Sequence, residues 1–288
     1  MDKKINVTFS NFGNYGRLGN QLWQYAFLKA YQLKRKDDVN VFLPKLSEKY
    51  WHGQPCLLEN FNISIPQNEQ ILIHNLFVEK DPQDYNENIY SINDDVDFLG
   101  FFQNMKYFIN YEEEVRKDLT LKNLYDIESK KILDSIRKNG KEIVSLHVRR
   151  GDLVSQVNDQ NYFTENGIFF KYMEKAISFF DDDKYYFLIF SGGSRDGDDV
   201  NDVIWCKQNL YFLKGKQFNF CHSNDALAIF SLMQNCDHNI MSHASSFSWW
   251  ACYLNQNKHK KVIAPKFYFI DRPEKIVDNF YPKEFILI

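Results

Sequence analysis

IVSLHVRRGD, at residues 143–152, joins an apolar run to a charged turn. The apolar part, Ile143–Val148, is predicted as a β-strand. Because side chains alternate along a strand, His147 and Arg149 fall on one face, and Arg150 and Asp152 lie in the turn that follows. In a parallel sheet, ligands bind beyond the carboxyl ends of the strands. The stretch therefore indicates a strand of an α/β fold that ends at a binding site.

The two adjacent guanidinium groups of Arg149 and Arg150 are the most distinctive feature of this turn. Their forked N–H donors match phosphate oxygens, and they stay charged at any relevant pH. We interpret them as a clamp for a pyrophosphate group. The alternative left open by the residues alone is a surface loop whose arginines pair with nearby carboxylates.

Strands and helices are predicted to alternate on both sides of this stretch. Further strands are predicted at Ile5–Phe9, Tyr185–Phe190, Asn239–Ser242 and Val262–Ala264. Such alternation indicates parallel βαβ units and hence an α/β fold. A charged helix is predicted over Glu112–Asn139, and we place the domain boundary at its end, which gives domains of residues 1–139 and 140–288.

A serine-rich turn precedes a predicted helix in SHASSFSWWACYLN, residues 242–255. The hydroxyl groups of Ser245, Ser246 and Ser248, with the free N–H groups of the first helical turn, are suited to bind an anion. Together with the neighbouring Phe247 they are candidate ligand-binding residues. Simple helix capping by serine is the alternative.

A glycine-rich loop, GNYGRLGNQ at residues 13–21, follows the first strand. It is predicted to lead into a helix from Gln21 with Asn20 as the N-cap. Glycines let the backbone approach a ligand, and the Asn20 amide can donate and accept hydrogen bonds, so Gly19 and Asn20 are candidate ligand-binding residues. The spacing G-x-x-G-x-x-G differs from the dinucleotide pattern G-x-G-x-x-G, which disfavours the rival prediction of an NAD-dependent dehydrogenase.

Two acidic features compete as site residues. The run Asp181–Asp183 resembles a metal-binding D-x-D, but it precedes a strand and is interpreted as a solvated turn. Asp225 is predicted in the first turn of a helix, where the helix dipole favours a carboxylate. A guanine ring offers N–H donors, so Asp225 is also a candidate guanine contact. No metal-binding residues are predicted.

Composition argues against several classes of protein. The net charge of −3 and the pI near 6.2 disfavour a nucleic-acid binder. The first ten residues lack the apolar core of a secretory signal, and no run reaches the ~20 apolar residues of a membrane span. The five cysteines form no C-x-x-C pair and are expected to be reduced, which predicts a cytoplasmic protein. The basic turn Lys258–Lys261 is the one candidate for peripheral contact with an anionic membrane.

Five segments, in order along nearly the whole chain, resemble glycosyltransferase family 11, the α-1,2-fucosyltransferases. The family's opening G-G-L-G-N-Q-M-F-Q-Y-A resembles GRLGNQLWQYA at residues 16–26, and its H-x-R-R-G-D resembles residues 147–152. The other three matches are FLGFFQNMKYF at residues 98–108, residues 236–255 with their S-F-S-W-W core, and VIAPK at residues 262–266. One departure is Ala244, where the family usually has Asn; another is Ser191–Ser194, where an acidic turn is common.

The resemblance implies a GT-B-like fold, with two Rossmann-like domains facing each other across a cleft. It implies that the second domain holds GDP, that the first contributes acceptor binding, and that transfer is inverting and independent of a metal or other cofactor. An inverting displacement would normally use a base on the acceptor hydroxyl, for which His147 and Asp152 are candidates. Arg149, Arg150 and the helix beginning near Ser245 would then offset the charge on the leaving pyrophosphate.

The leading prediction is transfer of L-fucose from GDP-fucose to the 2-hydroxyl of a terminal galactose, on an oligosaccharide or lipid-linked glycan of a bacterial-type surface polysaccharide. A second hypothesis keeps the enzyme class but changes the linkage or the GDP-sugar. A third is a carbohydrate-binding protein that retains the scaffold without catalysis, and the intact arginine pair disfavours it.

Overall fold

The computed structural model of the protein describes residues 4–51, 53–68, 72–151, 153–156, 162–164, 167–180, 183–192, 199–221, 223–268 and 279–288. The chain divides into two compact units. Of the described residues, 4–122 and 279–281 form the first unit, and the rest form the second. Each unit is α/β and is built around its own parallel sheet.

The first unit contains a four-stranded sheet with the strand order β2-β1-β6-β5, all parallel. A separate antiparallel hairpin is formed by β3 and β4. The elements of this unit are β1 (Ile5–Thr8), α1 (Leu18–Arg35), β2 (Val39–Phe42), β3 (Tyr50–Trp51), β4 (Gln54–Pro55), β5 (Leu76–Val78), β6 (Val96–Leu99) and α2 (Glu112–Asp118).

Helix α1 is buried on almost all sides, and aromatic rings account for much of its packing. The ring of Phe27 lies parallel to that of Phe102 at 3.8 Å and edge-on to that of Phe98 at 5.0 Å. The helix begins at Leu18 with Arg17 as its N-cap, so the prediction that Asn20 caps a helix from Gln21 is wrong by one turn. Asn20 is instead in the first turn, where its side chain reaches another segment.

The second unit contains a six-stranded sheet with the strand order β12-β11-β10-β7-β8-β9, all parallel. Its elements are α3 (Asn123–Arg137), β7 (Glu142–Val148), α4 (Leu153–Gln156), α5 (Ile168–Ser178), β8 (Tyr185–Ser191), α6 (Asp199–Asn209), β9 (Gln217–Cys221), α7 (Ala226–Asn235), β10 (His238–Ile240), α8 (Ser246–Leu254), β11 (Val262–Ala264) and β12 (Ile286–Leu287).

The charged segment that was predicted as one helix is two helices, α2 and α3, and the division between the units falls between them, at Lys122. The sequence pattern instead predicts the boundary at Gly140, after this segment. Helix α3 belongs to the second unit because its contacts lie there. Its Ser129 hydroxyl is 2.9 Å from the Ser231 hydroxyl of α7, and Arg137 pairs with Asp237 at 3.0 Å.

Strand β7 occupies the centre of the second sheet, with residues 143–148 all buried. Helix α8 is equally buried, and its Trp249 ring stacks on Tyr253 at 4.9 Å. All five cysteines are free thiols, and four of them are buried. Within the described parts of the chain, no helix combines the length and apolar character needed to cross a membrane.

Candidate functional site

In the second unit, the chain adds strands first on one side of β7 and then, from β10, on its other side. The chain runs outward from β7 through β8 to β9, then returns so that β10 pairs with the other side of β7. In open parallel sheets, ligands bind at the carboxyl ends of the strands at such a switch point. The two motifs predicted for the site, which follow β7 and β10, are therefore brought together at one sheet edge.

Arg149 is linked to the first turn of α8 by two hydrogen bonds. Its backbone N–H donates to the Ser242 hydroxyl at 3.0 Å, and the Ser242 N–H donates to the Ser248 hydroxyl at 3.4 Å. Ser242 follows β10 and is fully buried, so this connection is fixed within the core. These bonds hold Arg149, at the end of β7, next to the N-terminus of α8.

The charge of Arg149 acts on three buried groups around it. Burial raises the pKa of Tyr162 and Tyr268 and lowers that of His147. The nearby guanidinium acts in the downward direction on all three pKa values. The Ser246 hydroxyl is hydrogen-bonded to the Tyr268 phenol. Arg149 thus lies near buried aromatic side chains next to the first turn of α8, and charge interactions are stronger beside such apolar groups than in open solvent.

The serine turn acts partly as a helix cap. The Ser245 hydroxyl accepts a hydrogen bond from the Ser248 N–H at 3.1 Å, as the capping alternative expects. Ser246 is in the first turn of α8, and Phe247 packs against Phe230 with ring centres 5.3 Å apart. The Ser245 side chain is thus engaged internally, and the positive end of the α8 dipole lies at this edge of the sheet.

Arg150 is held by a carboxylate and by two aromatic rings of the second unit. Its Nε donates to the Asp202 carboxylate at 3.2 Å, and its guanidinium lies 4.0 Å from the Trp205 ring centre and 4.9 Å from that of Phe163. The same carboxylate accepts from the Gly151 N–H at 2.8 Å. Arg150 therefore fixes the turn after β7 to helix α6. For this arginine the structure agrees with the alternative prediction of a loop whose arginines pair with nearby carboxylates.

His147 is enclosed by the sheet. Its side chain is 7% exposed, and burial, aided by the charge of Arg149, lowers the pKa to about 3. Its Nδ1 has no hydrogen-bond partner among the described residues. An imidazole with so low a pKa is a weak proton acceptor near neutral pH, which disfavours the prediction that His147 is a general base. The other candidate, Asp152, lies outside the described residues.

Asp225 is the N-cap of α7 at the exposed surface after β9. Its carboxylate accepts from the N–H groups of Leu227 at 2.9 Å and Ala228 at 3.2 Å. Strand β9 is the far edge of the sheet, two strands from β7. The structure shows a capping role for this carboxylate and leaves its guanine contact as a prediction.

Gly19 and Asn20 are in the first unit, in the first turn of α1. The Asn20 side-chain oxygen accepts from the Gln103 amide at 3.0 Å. Gly16 has φ +94°, and a Cβ at that position would lie 2.6 Å from the Asn20 Cβ. Gly16 thus allows close packing of the loop against the Asn20 side chain.

Sequence reasoning missed three residues that support the site: Ser242, Asp202 and Tyr268. Ser242 was part of a quoted motif, yet a serine at a strand end carries no signal of its own. Asp202 is one of two aspartates in α6, and nothing in its spacing to Arg150 indicates their ion pair. Within the described residues, no three His, Cys, Asp or Glu side chains are grouped as metal ligands would be, and Asp181 and Asp182 lie outside those residues.

Comparison with known proteins gives consistent relatives. A family model described as "Glycosyl transferase family 11" matches residues 4–288. The chain is 27% identical to an "Alpha-1,2-colitosyltransferase" of Escherichia coli, over 88% of this chain and 90% of that protein. It is also 27% identical to "Galactoside alpha-(1,2)-fucosyltransferase 1" of Oryctolagus cuniculus, over 83% of this chain and 62% of that protein.

A solved structure shares the fold. The crystal structure of POFUT1 in complex with GDP superposes with a TM-score of 0.50, covering 92% of this chain and 99% of that one. At 10% sequence identity this likeness concerns the fold alone. The architecture is GT-B-like, with a Rossmann-like α/β arrangement in each unit, which confirms the predicted fold class.

Proposed function

The chain belongs to glycosyl transferase family 11 and is a glycosyltransferase, and on that premise we propose that it transfers L-fucose from GDP-fucose to the 2-hydroxyl of a terminal galactose. Both curated relatives carry "1,2" in their names, which supports this linkage. Transfer with inversion and without a metal cofactor is part of the same proposal.

The observation that carries the proposal is the position of Arg149. It stands at the carboxyl end of β7, at the switch point of the sheet, and hydrogen bonds through Ser242 connect it to the first turn of α8. A permanent cation and the positive end of a helix dipole are thus adjacent. Negative charge develops on the pyrophosphate as the sugar leaves, and fixed donors at that place stabilise the transition state.

The two arginines of the motif have different roles in this proposal. Arg149 acts on the pyrophosphate, and Arg150, held by Asp202 and Trp205, positions the turn that presents it. The site therefore uses one charge for the ligand and one for its own geometry. Fucosyl transfer passes through an oxocarbenium-like state, so stabilising the leaving group is the main electrostatic task.

Activation of the acceptor hydroxyl is assigned to Asp152 in this proposal, because burial makes His147 a poor base. We propose that the acceptor is a galactose-terminated oligosaccharide or lipid-linked glycan and that the enzyme works in the cytoplasm. The basic turn at Lys258–Lys261 is the part of the chain suited to contact an anionic membrane.

A second candidate donor comes from the Escherichia coli relative, whose name specifies colitose. Colitose is fucose without the 3-hydroxyl, so both sugars could occupy one site, and a protein that hydrogen-bonds this hydroxyl would reject the analogue that lacks it. The comparison of the two donors therefore belongs in the first experiment.

The test measures GDP release from GDP-fucose, GDP-colitose and GDP-mannose, with lactose as acceptor and EDTA present, followed by linkage analysis of the product. Lactose-dependent release from GDP-fucose with a new α-1,2 bond is the expected result. Release from GDP-colitose alone would move the assignment to the second candidate. GDP binding without release from any donor would mean either that lactose is the wrong acceptor or that the protein binds carbohydrate without catalysis. A requirement for added metal would overturn metal independence.

A further inference from the structure

The sheet of the first unit has a switch point of its own, between β1 and β6. The chain runs from β1 outward to β2 and later returns so that β6 pairs with the other side of β1. The loops that follow these two strands meet at the carboxyl edge, where ligands bind in open parallel sheets. At this edge, aromatic rings are gathered on the surface.

Three segments supply one ring each: Tyr15 from the loop after β1, Trp51 from the β3–β4 hairpin and Phe101 from the loop after β6. The rings of Tyr15 and Phe101 are stacked with centres 4.5 Å apart and planes 12° apart. The Trp51 ring meets that of Tyr15 edge-on at 5.6 Å. We call Tyr15, Trp51 and Phe101 the aromatic platform.

The aromatic platform differs from the core of the same unit in its exposure to solvent. The core rings, such as Phe27 and Phe102, are completely buried. Tyr15, by contrast, is 36% exposed, and Trp51 and Phe101 are half-buried. Stacked rings left at a surface retain apolar area that a ligand could cover.

Hydrogen bonds from other segments fix the backbone under the platform. The Tyr15 carbonyl accepts from the Gln24 amide of α1 at 3.1 Å, and the Phe101 N–H donates to the Glu79 carboxylate at 2.6 Å. In the hairpin, the N–H of Tyr50, next to Trp51, donates to the Asn14 side chain at 3.0 Å. A surface held in place before binding loses little entropy when a ligand arrives.

We propose that the aromatic platform binds a sugar ring of the acceptor glycan, which deepens and rests on the transferase function proposed above. The C–H face of a pyranose is apolar and flat enough to stack on aromatic rings, while its hydroxyl groups stay in water. A nucleotide diphosphate fits the platform less well, since its three side chains carry no charge, whereas Arg149 at the edge of the other sheet does. The occupant is therefore a neutral sugar, and galactose at the end of the acceptor is the one assigned.

The experiment compares Trp51→Ala and Tyr15→Ala with the native chain, using lactose as the probe. The KM for lactose should rise about tenfold or more, because a tenfold change in affinity corresponds to the loss of one modest contact. The KM for GDP-fucose and the affinity for GDP should stay within about twofold. Trp51→Phe, which keeps an aromatic face, should recover most of the affinity. Thermal unfolding of each variant separates a lost contact from a lost fold.

Tyr50→Ala is the matched control. Tyr50 is in the same strand as Trp51, is 55% exposed and points to the opposite side, so its removal should leave the KM for lactose unchanged. Saturation-transfer NMR of lactose provides a readout that needs no turnover. Loss of the lactose signal in Trp51→Ala but not in Tyr50→Ala supports the platform even if the donor assignment fails. No lactose signal with the native chain, or equal signals in both variants, overturns it.

Discussion

Arg149 and Arg150 are adjacent in sequence but have different surroundings. The backbone of Arg149 is tied to Ser242, and its charge acts on the aromatic groups around it. Arg150 is engaged by Asp202 and by the Trp205 ring. The sequence indicates that two guanidinium groups end a strand, but it cannot show which one pairs with Asp202, because Asp202 lies 52 positions from Arg150.

Arg149→Ala should abolish most of the activity and leave the fold intact. We expect kcat/KM to fall by about 10³-fold, since the variant loses a preorganised charge at the leaving group. The affinity for GDP, measured by calorimetry, should fall as well, and the thermal unfolding midpoint should change little. Near-native turnover in this variant would contradict the assignment of Arg149 to the pyrophosphate.

Arg150→Ala should instead act through stability. It leaves the Asp202 carboxylate, whose side chain is 9% exposed, without its ion-pair partner, and breaking such a pair costs about 3 kcal/mol. The double variant Arg150→Ala with Asp202→Ala should recover part of this loss, because the unpaired charge is removed. Urea unfolding of the three variants measures the cycle. Independent, additive losses would show that the pair has no structural role.

Ala244 adopts a backbone conformation that suits another residue. Its φ is +48°, in the left-handed region, where Asn is enriched and other L-residues are disfavoured. The family resemblance has Asn at this place, so the structure explains that preference physically. The sequence comparison showed the departure at Ala244, and only the backbone geometry shows its reason.

Ala244→Asn should therefore stabilise the protein, by about 0.5–1 kcal/mol in the free energy of unfolding. The measurement is the urea midpoint at a constant slope. Ala244→Val is the control, since a β-branched residue is poorly tolerated at positive φ and should lower the midpoint. A lower midpoint for Ala244→Asn would mean that packing of the Ala244 methyl group outweighs the backbone strain.

At the scale of elements, the glycine-rich loop and α1 form one structure. The amide groups of Asn20 and Gln24 reach Gln103 and the Gly100 carbonyl, so the helix start is bonded to the loop after β6. The sequence predicts the loop and the helix, but its capping rules place the start at Gln21. Those rules failed because Arg17 caps the helix without a side-chain hydrogen bond, which a search for capping residues cannot detect.

Gly16→Ala should disrupt this element. The added Cβ would lie 2.6 Å from the Asn20 Cβ in a backbone with φ +94°. Gly53→Ala is the control, because Gly53 also has positive φ, +72°, but no atom of the described residues beyond its chain neighbours lies within 4 Å of an added Cβ. Both variants bear the backbone strain of about 1–2 kcal/mol, and only Gly16→Ala adds a steric clash. Equal unfolding free energies for the two would show that the contact with Asn20 relaxes without cost.

At the scale of the whole molecule, the α/β class and the parallel sheets follow from the alternating pattern of the sequence. The division at Lys122 does not, because α3 is attached to its unit by contacts with residues about 100 positions later. Sequence pattern describes local elements, while unit membership depends on which distant side chains meet. The pairing of β7 with β10, which assembles the site, is likewise a long-range result.

The two units should respond to acid in opposite directions. In the first, burial raises the pKa of Glu79 to about 7, so the stability it contributes is complete below its ordinary value of 4.5 and is lost as the pH rises through 7. In the second, burial lowers the pKa of His147 and His243 to about 3, so their contribution is complete above 6.5 and is lost as the pH falls below it. Acidification from pH 7.5 to 5 should then stabilise the first unit and destabilise the second, by about 2 kcal/mol for each group.

Amide hydrogen exchange, corrected for the intrinsic rate at each pH, can follow β1 and β6 separately from β7 and β10. Protection of the first pair of strands should rise at pH 5, and protection of the second pair should fall. Glu79→Gln should flatten the response of the first unit alone, and His243→Asn should reduce that of the second. If protection changes in the same direction in both units and neither substitution alters the change, the units unfold cooperatively and other groups determine the acid response. Opposite changes in protection would show that buried carboxyl and imidazole groups give each sheet its own dependence on pH.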